Sequence, residues 1–172
     1  MAGFPVRLLR LRPGEEHREV VPLALDPLLF GGETYTANPP NVAAELVIQR
    51  ATTGDLFGLR FETRLEGPCM RCLAPAGVPV VVDAQEYEAT DAGDDDELRS
   101  EYVADGELDV APWARDQVAL AVPGQILCRP DCAGLCPVCG KDLNVEPHTH
   151  EAEAVDPRWA ALEALRGDSA DA

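Results

Sequence analysis

The spacing of apolar residues changes halfway along the chain. Leu59, Phe61, Thr63 and Leu65 alternate with Arg60, Glu62, Arg64 and Glu66. This strict period of two predicts a strand with one buried and one wet face. Residues 42–52, with Val42, Val47 and Ile48, read as a second strand, and Gly54-Asp55 suits a hairpin between them. Gly67-Pro68 ends the alternating strand and leads into Cys69. Residues 78–88, centred on Val80, Val81 and Val82, predict a third strand. Residues 20–25 form a short apolar run interrupted by Pro22, an edge strand at best. Asp26-Pro27 and the stretch 31–40, with Gly31, Gly32, Pro39 and Pro40, read as loop.

In the second half the period becomes helical. Asp109 can cap a helix over residues 112–122, with Pro112 in its first turn. Trp113, Val118 and Leu120 would supply its apolar contacts, and Pro123-Gly124 stops it. Residues 128–143 are loop-like, with Pro130, Gly134, Pro137 and Gly140. A last helix over 157–166 is predicted by Asp156 as N-cap, Pro157 at the first position, Trp159, Leu162 and Leu165, and Gly167 at its end. The tail 168–172 is expected to be disordered. Both tryptophans read as helix-face anchors rather than a base-stacking platform. The fold expected is α+β: an antiparallel sheet core, two short helices and a Cys-rich, zinc-binding C-terminal loop. Residues 1–127 would make the mainly β core and 128–172 the Cys-rich segment with its helix, together one folding unit.

Composition sharpens this picture. The 172 residues amount to about one domain, and 46% apolar residues are enough for a core. No apolar run approaches the ~20 residues of a membrane span, and Met1–Arg7 carries no signal-like apolar core. The expectation is a cytoplasmic protein with reduced thiols, in which cysteine clusters bind metal rather than form disulfides. The formal charge is −17, with 14 basic against 31 acidic residues and a single lysine, Lys141. Such a balance disfavours broad contact with nucleic-acid phosphates. The charge is concentrated. Residues 83–109, read as an acidic loop, hold 12 acidic groups and one basic group, Arg99. Within it Asp94, Asp95, Asp96 and Glu97 form a run that is either a solvated loop or a docking surface for a basic partner, attracted over a Debye length.

The candidate chemistry lies in the six cysteines. Cys69-Met70-Arg71-Cys72 is one Cys-x-x-Cys pair, and Cys128, Cys132, Cys136 and Cys139 form a tight cluster. Cys136-Pro137-Val138-Cys139-Gly140 has the form of a zinc knuckle, whose glycine lets the backbone bend towards sulfur. His148 and His150 follow, both rings on one side if that segment is extended. Zinc takes four N or S ligands in a tetrahedron, and closed four-ligand sites are structural. Two ligand sets compete: the local set Cys128, Cys132, Cys136 and Cys139, in which a histidine could replace one member, and the ribbon-like set Cys69, Cys72, Cys136 and Cys139. Eight potential ligands would suffice for two sites. The plain alternative, cysteines as small buried apolar residues, fits Cys69 and Cys72 better than the cluster.

Other chemistry is thinner. His17 lies among Glu15, Glu16 and Arg18 and reads as solvated. No Ser/His/Asp arrangement or phosphate-binding glycine loop is recognisable. A thiol redox role for Cys69 and Cys72 normally needs a helix directly after the motif, against which Pro75 and Gly77 argue. A hydrolytic enzyme would need a metal with an open position. Arg60, Arg64 and Arg71 could form a local basic patch for direct RNA binding. Arg71, Arg129 and Lys141 could make a small RNA or protein contact.

Three stretches in order, Cys69-Met70-Arg71-Cys72-Leu73, residues 131–140 and residues 156–162, together with Arg12-Pro13-Gly14, make the chain resemble the YceD family, the large ribosomal RNA subunit accumulation proteins. The resemblance implies a non-enzymatic factor supporting 23S rRNA accumulation and large-subunit biogenesis. Its partners would be a large-subunit ribosomal protein or a pre-ribosomal particle, with a local contact to 23S rRNA in reach, and neither a membrane nor a small-molecule substrate. Some branches of the family carry the Cys-x-Arg-Cys pair without the C-terminal cluster, which favours the local ligand set. Many members with the cluster have Cys or His just after it, where this chain has His148 and His150. Taken with the charge, the resemblance implies a protein that holds and delivers a basic ribosomal protein, with Arg71 and the 94–97 run contacting the partner.

Overall fold

The computed structural model describes residues 3–91, 93 and 98–150. The helix expected over 157–166 and the acidic run Asp94–Glu97 lie outside these residues. The chain divides into two units, residues 1–134 and 135–172.

In the first unit the alternating segment becomes the longest strand, as its period demands. β5 (Gly54–Pro68) pairs along its whole length with β6 (Pro75–Ala89), antiparallel, from Gly54 opposite Ala89 to Pro68 opposite Pro75. Its other edge is shared. β4 (Asn41–Arg50) pairs with Asp55–Arg60, and β3 (Glu33–Asn38) with Arg64–Glu66. β1 (Glu16–Ala24) lies outside β4 and β2 (Leu28–Phe30) outside β3, giving a six-stranded antiparallel sheet. Phe57, Leu59, Phe61, Thr63 and Leu65 all face inward and are buried. They pack with Leu46, Ile48, Val80 and Val82 against Trp113, Ala114 and Val118 of α1 (Val110–Ala121).

Five local readings differ from the structure. The edge strand β1 starts at Glu16, because its polar first half is held by pairing with β4 and by Arg18, which bridges Glu16 (2.7 Å) and Glu45 (3.0 Å). The 31–40 loop is largely strand. Gly31 and Gly32, at φ +61° and +89°, make the two-residue turn between β2 and β3, and Tyr35 and Ala37 turn inward. The acidic segment 83–109 is not a loop throughout. Residues 83–89 finish β6, and β7 (Val103–Ala104) pairs with β8 (Glu107–Leu108) across Asp105-Gly106, both at positive φ. Finally, Asp109 occupies the N-cap position of α1 but makes no side-chain capping bond, and its N–H donates to the Tyr102 carbonyl. Leu120 is exposed, being two residues from Val118 and so on another face of the helix.

Candidate metal centre

The turn between β5 and β6 is the Cys69–Cys72 motif. The Cys69 N–H donates to the Ala74 carbonyl (2.7 Å) and the Leu73 N–H to the Cys69 carbonyl (3.0 Å), with Leu73 at φ +61°. The same closure recurs at Cys136: its N–H donates to the Lys141 carbonyl (2.8 Å), and the Gly140 N–H donates to the Cys136 carbonyl (2.8 Å), with Gly140 at φ +73°. The two Cys-x-x-Cys pairs are thus one knuckle built twice, with Leu73 where the second has glycine.

The first knuckle holds the segment 125–134. Met70 donates its N–H to the Ile126 carbonyl (2.9 Å) and receives the Ile126 N–H on its sulfur (3.3 Å). The Arg71 guanidinium donates to the Cys132 carbonyl and to Gln125 Oε1, both at 3.0 Å. Gly134, at φ +79°, passes so close that a Cβ there would lie 3.2 Å from that of Arg71. These links bring four sulfurs together. Cys69 and Cys132 are 3.8 Å apart and Cys72 and Cys128 3.6 Å, and all four lie within 4.8 Å of one another. A tetrahedron of sulfurs ~2.3 Å from zinc has edges of about 3.8 Å, so the quartet has the dimensions of a four-thiolate site. Cys69 and Cys132 are buried, Cys72 is half-buried and Cys128 exposed.

The second quartet is Cys136, Cys139, His148 and His150, its ligand atoms again within 4.8 Å of one another. Cys139 Sγ lies 3.1 Å from His148 Nε2. His148 Nδ1 lies 2.7 Å from the Glu146 carbonyl; a proton there donates to that oxygen and leaves Nε2 free to bind a metal. The His148 and His150 rings stand edge to face, centroids 4.9 Å apart.

The electrostatics favour thiolates at the first cysteine of each knuckle. Burial pushes the Cys69 thiol up, but the N–H groups of Arg71, Cys128 and Cys72 outweigh it and bring it down to about 6. The Cys139 and Val138 N–H groups lower Cys136 to about 6 against burial. Neighbouring thiols act the other way on Cys128, pushed up to about 12 chiefly by Cys72. For Cys72 the Ala74 N–H pulls down, yet burial and the Cys132 and Cys69 thiols leave it raised. His148 is raised, first by the Glu146 carbonyl and then by Cys136. Four thiols crowded in this way cannot all ionise without a cation to neutralise them, which is the condition a bound metal meets.

The grouping is neither of the two sets read from the sequence. Both presume that Cys136 and Cys139 share ligands with Cys128 and Cys132 or with Cys69 and Cys72, whereas the structure pairs Cys69 and Cys72 with Cys128 and Cys132, and Cys136 and Cys139 with His148 and His150. Arg71, expected to contact a partner, is turned onto Gln125 and Cys132. The proposed basic patch is largely neutralised: Arg60 pairs with Asp83 (2.9 Å), and Arg64 donates to the Gly77 carbonyl (2.9 Å) and lies 3.7 Å from Glu66. Arg129 lies 3.4 Å from Asp131, and Lys141 2.8 Å from Glu146. His17 is half-buried beside Glu19 (3.2 Å) and Phe4. Met70, Gln125 and Ile126 escaped the sequence reading, although Ile126-Leu127 is the one apolar pair between Gly124 and Cys128.

One concave surface is strongly acidic. A cavity of about 600 Å³ is lined by Glu101, Asp105, Glu107, Asp109 and Asp116, with Arg7 as its one basic residue. Arg7 pairs with Glu107 at 2.8 Å. Among the described residues no helix is long and apolar enough to cross a membrane.

The chain is thus an antiparallel-sheet protein whose longest hairpin ends in a cysteine knuckle, followed in sequence by a second knuckle with histidines, each in a group of four side chains close enough to hold a metal ion. The chain belongs to the family described as large ribosomal RNA subunit accumulation protein YceD, whose model matches residues 57–166. It is 40% identical over 109 residues to an uncharacterized protein of Mycobacterium tuberculosis, covering 61% of this chain and 52% of that protein. Against the uncharacterized protein YlbN of Bacillus subtilis it is 33% identical over 102 residues, 57% of this chain and 58% of that one. A 41-residue stretch, 24% of this chain, is 42% identical to 14% of a chloroplastic large ribosomal RNA subunit accumulation protein YCED homolog of Zea mays. The chain thus spans about half the length of the curated relatives it matches over most of its own length. No solved structure matches it.

Proposed function

We propose that the chain is a non-enzymatic cytoplasmic factor in large ribosomal subunit biogenesis that supports 23S rRNA accumulation by holding a basic ribosomal protein or precursor particle. Family membership carries this reading, since the family is described by large ribosomal RNA subunit accumulation. The charge of −17 supports a protein partner over an RNA one. The acidic cavity supports it further, as five carboxylates around one arginine attract Arg and Lys side chains and repel phosphates. The bound metal in this reading is zinc, held by Cys69, Cys72, Cys128 and Cys132 and by Cys136, Cys139, His148 and His150. Zinc in such saturated sites cross-links the chain and offers no open position for catalysis.

Capture tests the reading. The tagged full chain, recovered from cell extract at moderate salt, is expected to bring down a large-subunit protein or precursor particle, and to lose it at high salt. Recovery of neither at moderate salt overturns the reading.

A further inference from the structure

The two quartets sit in different physical settings. The unit that carries the first buries an extensive apolar core between the six-stranded sheet and α1. The Met70–Ile126 and Arg71–Cys132 bonds link its two ligand-bearing segments through groups other than the thiols. Its ion would be a staple on a fold that exists for other reasons. Among the described residues, none of 135–150 belongs to that core. Among them Cys136 alone is buried, while Val138 and Val145 are 71% and 80% exposed. The links described within them are local and wet, among them the Leu135–Asp142 bridge, turn bonds onto Asp142, and the exposed Lys141–Glu146 pair. A segment of this length cannot offset its ordering entropy with exposed hydrogen bonds and ion pairs. Yet it brings two cysteines and two histidines, spread over fifteen residues, within one metal's reach, with His148 oriented by the Glu146 carbonyl.

The geometry points to residues 135–150 as a separate zinc module, one whose fold exists only with its own ion at Cys136, Cys139, His148 and His150. This rests on the reading that the chain holds zinc. Zinc would supply the folding free energy that the slight burial within residues 135–150 does not, so the segment is folded when loaded and unfolded when stripped. The other ion could then be lost without unfolding the sheet, and the module could be emptied without disturbing the first quartet.

The test is native mass spectrometry and hydrogen exchange on the full zinc-loaded chain, with Cys139→Ser and Cys72→Ser compared. The wild type is expected to hold two zinc ions. Cys139→Ser is expected to hold one and to lose exchange protection over 135–150 while β4, β5 and β6 keep theirs. Cys72→Ser is expected to keep the module's zinc and its protection. Protection of β5 in each variant establishes that the sheet is folded. One zinc per wild-type chain, lost in both variants, overturns the inference and leaves the zinc reading standing. So does undiminished protection of 135–150 in Cys139→Ser. A wild type that binds no zinc overturns both.

Discussion

The Arg71 guanidinium donates to the Cys132 carbonyl across 3.0 Å, and the same side chain reaches Gln125 at 3.0 Å. One residue of the first knuckle thus fixes the backbone that carries the quartet's most distant ligands. A planar fork suits this better than a point charge.

Removing that fork should loosen the first quartet. Arg71→Met is expected to lower zinc affinity there about 10–100-fold, the usual effect of losing an outer partner of a ligand. Arg71→Lys should recover only part of it. Chelator competition, with cobalt substitution to report thiolate coordination, reads the change. The second quartet should keep its affinity in both variants.

The two knuckles make a matched pair for backbone strain. Gly140→Ala forces a Cβ into φ +73° with nothing nearby to clash, so its cost is conformational, about 1 kcal/mol. Leu73 already occupies that conformation at φ +61°. Leu73→Asn, a residue that tolerates the left-handed region, should therefore stabilise the first unit by up to about 1 kcal/mol. Denaturant midpoints of the zinc-loaded chain decide the second, and zinc retention by residues 135–150 the first.

Tyr102 links the β7–β8 hairpin to α1. Its hydroxyl donates to Asp116 Oδ2 (3.1 Å) and its ring lies 6.3 Å from that of Trp113. Burial first, then Asp116, raise its pKa above the ordinary tyrosine value of 10. A raised folded-state pKa gives stability that is fully present below pH 10 and lost as the pH rises above it. Denaturation of the wild type should therefore become easier above pH 10. Tyr102→Phe should lose stability at neutral pH but lack this part of the alkaline decline.

Much of the sheet was legible, and for a simple reason. Leu59, Phe61 and Leu65 alternate with charges, and only one pleated face can bury them. The α1 segment was legible from Pro112, Trp113 and Val118. β2 and β3 were not, because Thr34, Thr36 and Asn38 look like loop residues until β2 and β5 pair with them. The candidate ligands were all visible, but not their grouping. Spacing alone favours Cys128 with Cys136, whereas the partition depends on Met70, Arg71 and Gly134 drawing residues 125–134 onto the β5–β6 turn. Those are long-range contacts without a local pattern.

If the acidic cavity receives a basic side chain, its carboxylates set the capture. The triple change Glu101→Lys, Asp105→Lys and Asp109→Lys should abolish recovery of the ribosomal partner at moderate salt while leaving zinc content unchanged. Reversal of Arg60 and Arg64, already engaged by Asp83 and Gly77, should leave recovery as it was. Quantitative capture of the partner from extract compares the two.

The central claim concerns 23S rRNA, and its most direct test is the ratio of 23S to 16S rRNA in cells depleted of the chain and then resupplied with it. The ratio is expected to fall on depletion, to return with the wild type, and to stay low with the triple cavity variant. An unchanged ratio in depleted cells would contradict that claim.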